Sequence, residues 1–193
     1  MISIILFKQL AGYISTKDLN GLEQYYSQLL EDCQRSNNLN SLNPEVINNP
    51  AIYSILASKY YKADELGIHI NLDIFLNLNT LNMQIYELTI ILGILLDNAI
   101  EASAETQEKI IHVNMKNDSK CARQLIIIEN TYSNKDVDTE QIYEKGYTTK
   151  SDIGNKHGLG LWKVRKILHR NNNLNLYTTK NEHYFKQQLE IYI

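Results

Sequence analysis

"KIIHVNMKNDSKCARQLIIIEN", residues 109–130, contains two runs rich in Ile and Val, "KIIHVNMK" and "RQLIIIEN", on either side of a short polar connection. Such runs separated by turn-forming residues predict two strands, and a connection this short predicts a hairpin. Hairpin strands pair antiparallel, which argues against a doubly wound sheet made of parallel crossovers.

The flanking segments complete the pattern. Residues 82–104 form an uninterrupted apolar helical run with Leu88, Ile91, Leu92, Leu95 and Ala99 on one wide face. "IHINLDIF" alternates with period two, which predicts a strand with Ile68, Ile70, Leu72 and Ile74 on one side. "NNPAIYSILASKYYKADELG" reads as a helix stopped by Gly67, with Ile52, Ile55, Leu56, Tyr60 and Ala63 inward. Residues 131–157 carry no regular period. A helix from about Gly158 to Arg170 and two closing strands, "LNLYTT" and "YFKQQLEIYI", follow. Helices and strands alternate irregularly. The expected fold is α+β: a two-layer α/β sandwich whose mixed, largely antiparallel sheet has helices on one face, preceded by a short helical hairpin.

That hairpin occupies residues 1–36. Ile5, Leu10 and Ile14 form one stripe, and Leu22, Tyr25 and Leu29 another, with Ser15 or Asp18 available as a helix cap in "STKDLN". So few residues cannot bury an apolar stripe alone, so a partner is expected, either a second copy or further chain. "RSNNLNSLNPEVINNP" contains both prolines and no apolar period, so residues 37–50 read as a linker and 51–193 as the main domain.

Composition narrows the function. With 193 residues, 44% hydrophobic and 21% charged, the chain holds one ordinary globular domain plus a small addition. A formal net charge of -3 gives no basic footprint, so no nucleic-acid partner is expected. The two cysteines, Cys33 and Cys121, match neither metal-ligand spacing nor a disulfide framework, which suits a cytoplasmic setting. "MISIILF" is too short to span a membrane and lacks a signal peptide's features. Any membrane sensor segment is expected to lie outside this chain.

Three segments carry candidate site residues. In "IILGILLDNAIEAS", Asp97, Asn98 and Glu101 interrupt the edge of the apolar helix. Asn98 is either an amide at the border of a buried helix or a ligand-binding group. In "LIIIENTY", Asn130 shares the parity of Ile126 and Ile128, so it faces inward at a strand end, where it can bind a flat ligand or begin a turn. In "KGYTTKSDIGNKHGLGLWKVRKIL", residues 145–168, Gly146, Gly154, Gly158 and Gly160 are four of the chain's 8 glycines. Gly158, Leu159 and Gly160 open a helix whose N-terminal N–H groups suit phosphate oxygens, while Thr148, Thr149 and Lys150 supply hydroxyls and a cation. A glycine pair at a helix start can equally be structural.

Together and in this order, "LLDNAIEAS", "IENT", "KGYTTK" and "GLGL" resemble the ATP-binding domain shared by gyrase, the heat-shock chaperone, the mismatch-repair ATPase and sensor histidine kinases. "LDNAIEAS" and "KGYTTK…HGLGL" look like the histidine kinases that sense peptide pheromones in Gram-positive quorum sensing. The resemblance implies binding of ATP and Mg²⁺, with Asn98 holding the metal, Asn130 at the adenine, Lys150 near the terminal phosphate and Gly158–Gly160 as the second glycine-rich box. It also implies a homodimer through the N-terminal helices and a cognate response regulator.

The departures from the pattern are specific. Ile94 stands where relatives often have a polar residue. "NTYSN" replaces the first glycine-rich box, and Asn130 replaces an aspartate. None of the five histidines precedes Asp or Glu, and none lies within residues 1–36; His157 alone is near the expected site. The expected function is the cytoplasmic ATP-binding core of a two-component histidine kinase whose phosphoacceptor lies elsewhere. The alternative is a non-catalytic nucleotide-binding or dimerisation module. Hydrolysis in the manner of gyrase is disfavoured, because Ile94 cannot serve as the base.

Overall fold

The computed structural model describes residues 10–36, 42, 46–147 and 158–193. The chain forms two compact units, Met1–Ser41 and Leu42–Ile193.

In the first unit, helical residues 10–15 meet helix α1 (Leu19–Ser36) through a tight turn. The Asp18 N–H donates back to the Tyr13 carbonyl at 3.0 Å, and Lys17 takes a left-handed φ of 56° to allow it. Asp18 Oδ1 then accepts from the Gly21 N–H at 2.9 Å, which makes Asp18, not Ser15, the cap of α1. Tyr13 and Tyr25 pack with ring centroids 5.5 Å apart. Ile14 and Leu19 remain 64% and 71% exposed. Ile5 and the side chain of Leu29 lie outside the described residues.

The second unit is an α/β sandwich. Helix α2 (Pro50–Glu65) leads into β1 (His69–Phe75), and helix α3 (Ile85–Ala104) leads into β2 (Ile110–Asp118) and β3 (Arg123–Thr131). Helix α4 (Gly160–Leu168), β4 (Leu174–Lys180) and β5 (Tyr184–Tyr192) complete it. The five strands form one sheet in the order β1-β2-β3-β5-β4. β2 and β3 pair antiparallel as the hairpin that residues 109–130 predict. β3–β5 and β4–β5 are also antiparallel, and β1–β2 alone is parallel, because α3 provides the crossover.

Helix α2 starts at Pro50, where a missing N–H costs nothing, and Asn49 Oδ1 accepts from the Ala51 and Ile52 N–H groups. Gly67 ends this segment with a φ of +68°. Leu42 and Ile47, within the asparagine-rich stretch, are 3% and 2% exposed and belong to this unit's core. Helix α3 begins at Ile85, three residues later than its apolar pattern suggests, because residues 82–84 turn off the Leu78–Thr80 3₁₀ turn. It buries Leu88, Ile91, Leu92, Leu95, Leu96, Ala99 and Ile100. They lie over Ile111, Val113, Met115, Ile126, Ile128, Leu189 and Ile191, all nearly inaccessible. Burying each such side chain contributes about 1.5–3 kcal/mol, so this interface is the main source of stability.

The opposite sheet face carries a charged network beside Leu125 and Ile127. Arg123 bridges Asp118 at 2.8 Å and Glu190 at 2.6 Å. Burial pushes the Glu190 carboxyl up, but hydrogen bonds from Tyr192, Gln188 and Arg123 outweigh it and leave it below its usual range.

Candidate functional site

Helix α3 carries Asn98 and β3 carries Asn130, and a hydroxyl cluster brings the ends of these two elements together. Ser103 Oγ donates to the Thr131 carbonyl at 3.2 Å, and Thr131 Oγ1 lies 3.3 Å from Ser103 Oγ and 3.0 Å from Thr106 Oγ1. Asn98 sits on α3 about 7.5 Å along the axis from Ser103. It is half-buried, as is Glu101.

Asn130 is 3% exposed and faces inward, as its parity with Ile126 and Ile128 requires. Its Nδ2 donates to the Thr131 carbonyl at 2.7 Å, which directs Oδ1 away from that carbonyl as an acceptor.

Asp97, beside Asn98, receives Lys59 Nζ and Lys62 Nζ from α2, each at 2.7 Å. Burial pushes its carboxyl up, but the two ammonium groups prevail and hold it below the usual carboxylate range. The two lysines clamp α2 to the turn of α3 that presents Asn98.

The glycines of residues 145–160 have distinct tasks. The Gly146 N–H donates to the Gly158 carbonyl at 3.0 Å. Gly158 has a φ of +79°, and a Cβ there would stand 2.5 Å from the Gly146 carbonyl carbon and 2.6 Å from the Tyr147 oxygen. No L side chain fits. Gly158 is therefore the turn before the helix, which places the start of α4 at Gly160 and not at Gly158. A Cβ at Gly160 would lie 3.1 Å from Ile94 Cγ2, so the start of α4 rests on α3 one turn before Asn98. Leu159 offers no side-chain cap, which leaves the first N–H groups of α4 without the usual internal partner. Thr148, Thr149, Lys150 and His157 lie outside the described residues.

Just after β3 the chain buries an aromatic residue. Tyr132 is 7% exposed, its ring lies 5.9 Å from that of Phe185, and its hydroxyl donates to the Asn181 carbonyl. Lys135 Nζ stands 3.8 Å over that ring and donates to the Tyr132 and Glu182 carbonyls. Among the described residues no cluster of three or more His, Cys, Asp or Glu side chains could hold a metal. Magnesium in nucleotide sites needs none, since it keeps waters and phosphate oxygens and takes one or two protein oxygens.

The sequence profile of the GHKL domain matches residues 83–192, from α3 to the last strand. The chain belongs to the GHKL-domain family. Its GHKL fold is that of a histidine-kinase catalytic domain. The catalytic domain of histidine kinase ThkA matches with a TM-score of 0.59 at 21% identity, covering 73% of this chain and 89% of that one. Acinetobacter baumannii histidine kinase AdeS gives 0.53 at 17% identity, over 98% of this chain and 94% of that one. A probable C4-dicarboxylate sensor kinase of Halalkalibacterium halodurans is 24% identical over 166 residues, 83% of this chain and 30% of that protein. The chain thus spans under a third of that relative's length.

Proposed function

We propose that this GHKL chain is the ATP-binding core of a two-component sensor histidine kinase. The observation that carries the reading is the junction at Gly160: an uncapped helix N-terminus packed against α3, one turn from Asn98. Oriented N–H groups and a partial positive charge there suit phosphate oxygens, and a glycine at the junction lets them approach. The Asn98 carbonyl oxygen is a hard ligand of the kind Mg²⁺ takes, and Asn130 Oδ1 is an acceptor for an adenine amino group. Bound Mg-ATP would supply the phosphoryl group and its charge neutralisation. Thr148, Thr149, Lys150 and His157, which fall between Gly146 and Gly158 in the sequence, are assigned to the phosphate tail.

Phosphoryl transfer of this kind depends on positioning and charge, with little covalent work for the protein. Ile94 packs against Gly160 and provides no base, so the site is suited to a good nucleophile such as imidazole and not to activating water. Residues 1–36 hold no histidine, so the acceptor imidazole is assigned to another segment or chain. The exposed Ile14 and Leu19 support pairing of two hairpins into a dimer. The similarity of "LDNAIEAS" and "KGYTTK…HGLGL" to pheromone-receptor kinases supports a role in peptide quorum sensing with a cognate response regulator, on the cytoplasmic side of a membrane. Among the described residues no helix is long and apolar enough to cross a membrane.

A second reading, a nucleotide-binding module without turnover, draws on Ile94 and on Tyr132 in place of the first glycine-rich box. Calorimetric titration with a non-hydrolysable ATP analogue, with and without Mg²⁺, tests the nucleotide site itself. Mg-dependent binding weakened about tenfold in Asn98→Ala is expected. Unchanged affinity in a folded Asn98→Ala protein rejects the assignment. Transfer of label from γ-labelled ATP to a histidine-bearing partner hairpin separates the kinase from the module without turnover.

A further inference from the structure

The inward face of the sheet is mostly aliphatic, and besides Gln124, whose amide is paired with Asn82 and Thr80, it carries one polar group of side chains. Asn130 closes β3, Gln187 lies on β5 and Thr178 on β4. Ile128 pairs with Gln187, Gln187 with Thr178, and Asn130 with Phe185, so Asn130 and Gln187 are diagonal neighbours on one face. Gln187 is 3% exposed, and its Nε2 is fully buried with no hydrogen-bond partner. Tyr143, from the 3₁₀ turn Gln141–Tyr143, bonds to Thr178 through its hydroxyl and lies beside Gln187 without making a hydrogen bond of normal geometry to its amide. Folded proteins leave few buried amide hydrogens without an acceptor, and those that persist call for an explanation.

We propose that Gln187 is a base-reading residue of the nucleotide site, donating its spare amide hydrogen to an adenine ring nitrogen while Asn130 Oδ1 accepts from the adjacent 6-amino group. The proposal rests on the nucleotide-binding reading above and adds to it the means of choosing the base. Adenine presents a donor and an acceptor side by side on its pairing edge, the complement of an acceptor on Asn130 and a donor on Gln187. Guanine presents the reverse, a carbonyl acceptor beside a ring N–H donor. An isolated asparagine can rotate its amide to suit either base. Asn130 is not isolated, because its Nδ2 is held by the Thr131 carbonyl and its oxygen is therefore committed as the acceptor. Gln187 then supplies the donor that guanine cannot use. Both side chains are shielded in this structure, and Tyr143, which comes from a loop and not from the sheet, is the group placed to give way when a base enters.

The test is calorimetric titration of the whole chain with Mg-ATP and Mg-GTP, alongside Gln187→Met and Gln187→Leu, with thermal melts of each protein in the absence of nucleotide. The wild type should prefer ATP. Both variants should lose about fivefold in ATP affinity, the worth of one hydrogen bond, and lose most of the ATP/GTP preference. Their nucleotide-free melting temperatures should be equal to or above the wild-type value, because an unpaired polar group has been removed. A variant that keeps wild-type ATP affinity and preference overturns the proposal, as does one whose affinity falls only in step with a lowered melting temperature, which is a purely structural role. If the wild-type chain binds neither nucleotide, the nucleotide-binding reading fails and the proposal fails with it.

Discussion

Gly146 and Gly158 meet backbone to backbone, with the Gly146 N–H 3.0 Å from the Gly158 carbonyl oxygen and no room for a side chain at Gly158. This contact closes the segment that carries Thr148, Thr149 and Lys150, and it sets the point from which α4 departs. Gly158→Ala forces a Cβ into the Gly146 and Tyr147 backbone at a left-handed φ, so the clasp must open. Nucleotide affinity should fall about tenfold while the melting temperature changes by only about 2–4 °C, since the fault is local. Calorimetry and thermal denaturation on the same preparation check both numbers; an unchanged affinity means that the clasp does not position the segment.

The junction between α3 and α4 can be examined with a double-mutant cycle. Gly160→Ala brings a methyl group to 3.1 Å from Ile94 Cγ2, tighter than ordinary contact, and should destabilise the unit by about 1 kcal/mol. Ile94→Ala alone should also destabilise it by leaving a void. Combined, the two changes should cost less than their sum by about 1 kcal/mol, because the new methyl group enters space the isoleucine has left. Strict additivity in urea denaturation indicates that Gly160 and Ile94 do not share that space in solution.

The Lys59–Asp97–Lys62 clamp carries a pH signature. Asp97 has a folded-state value below its unfolded one, so its contribution is fully present above the unfolded value of about 4 and is lost as pH falls through the folded value. Stability of the wild type should therefore drop more steeply between about pH 4 and pH 2 than that of Asp97→Asn. Denaturation midpoints at pH 7 and pH 3 give the comparison; equal slopes for the two proteins contradict the clamp.

Glu190, 2% exposed on the sheet face opposite α3, depends on Arg123. Arg123→Met leaves a buried carboxylate with only Tyr192 and Gln188 as partners, and the melting temperature should fall by about 5 °C. Arg123→Met/Glu190→Gln should recover most of the loss, since it removes the stranded charge as well. Failure of the second substitution to rescue the first assigns the effect to packing of the arginine stem.

Periodicity makes the sandwich readable from the residues alone: the hairpin at residues 109–130 and the apolar helix before it define the sheet and its covering layer. The inward orientation of Asn130 is legible in the same way, because parity along a strand is a local property. The boundaries shift where backbone geometry and not hydrophobicity decides, as at Gly158, whose positive φ postpones the helix to Gly160. The partners of Asp97 are not legible, because Lys59 and Lys62 lie on another helix and sequence spacing holds no record of which helices touch. Gln187 does carry a usable sign. It shares the parity of Leu189 and Ile191, which marks an amide turned into the core. Tyr132 is different: nothing in "NTYSN" shows that its ring is buried beside that of Phe185.

The order of the strands has a kinetic corollary. β2 and β3 are neighbours along the chain and can zip together early, whereas β5 reaches β3 only after the whole stretch from Thr131 to Tyr184 has been gathered in. That stretch contains Gly146, Gly158, Gly160 and the start of α4, so the segment proposed to face phosphate and the residues proposed to face the base are joined by the most distant pairing in the sheet. Amide protection after pulse labelling should accordingly appear at Ile126–Ile128 through β2 before it appears along Phe185–Leu189. Simultaneous protection would mean that both edges of β3 form together. On this ordering the hairpin that defines the fold is the first part to form, and the β3–β5 seam is the last to mature.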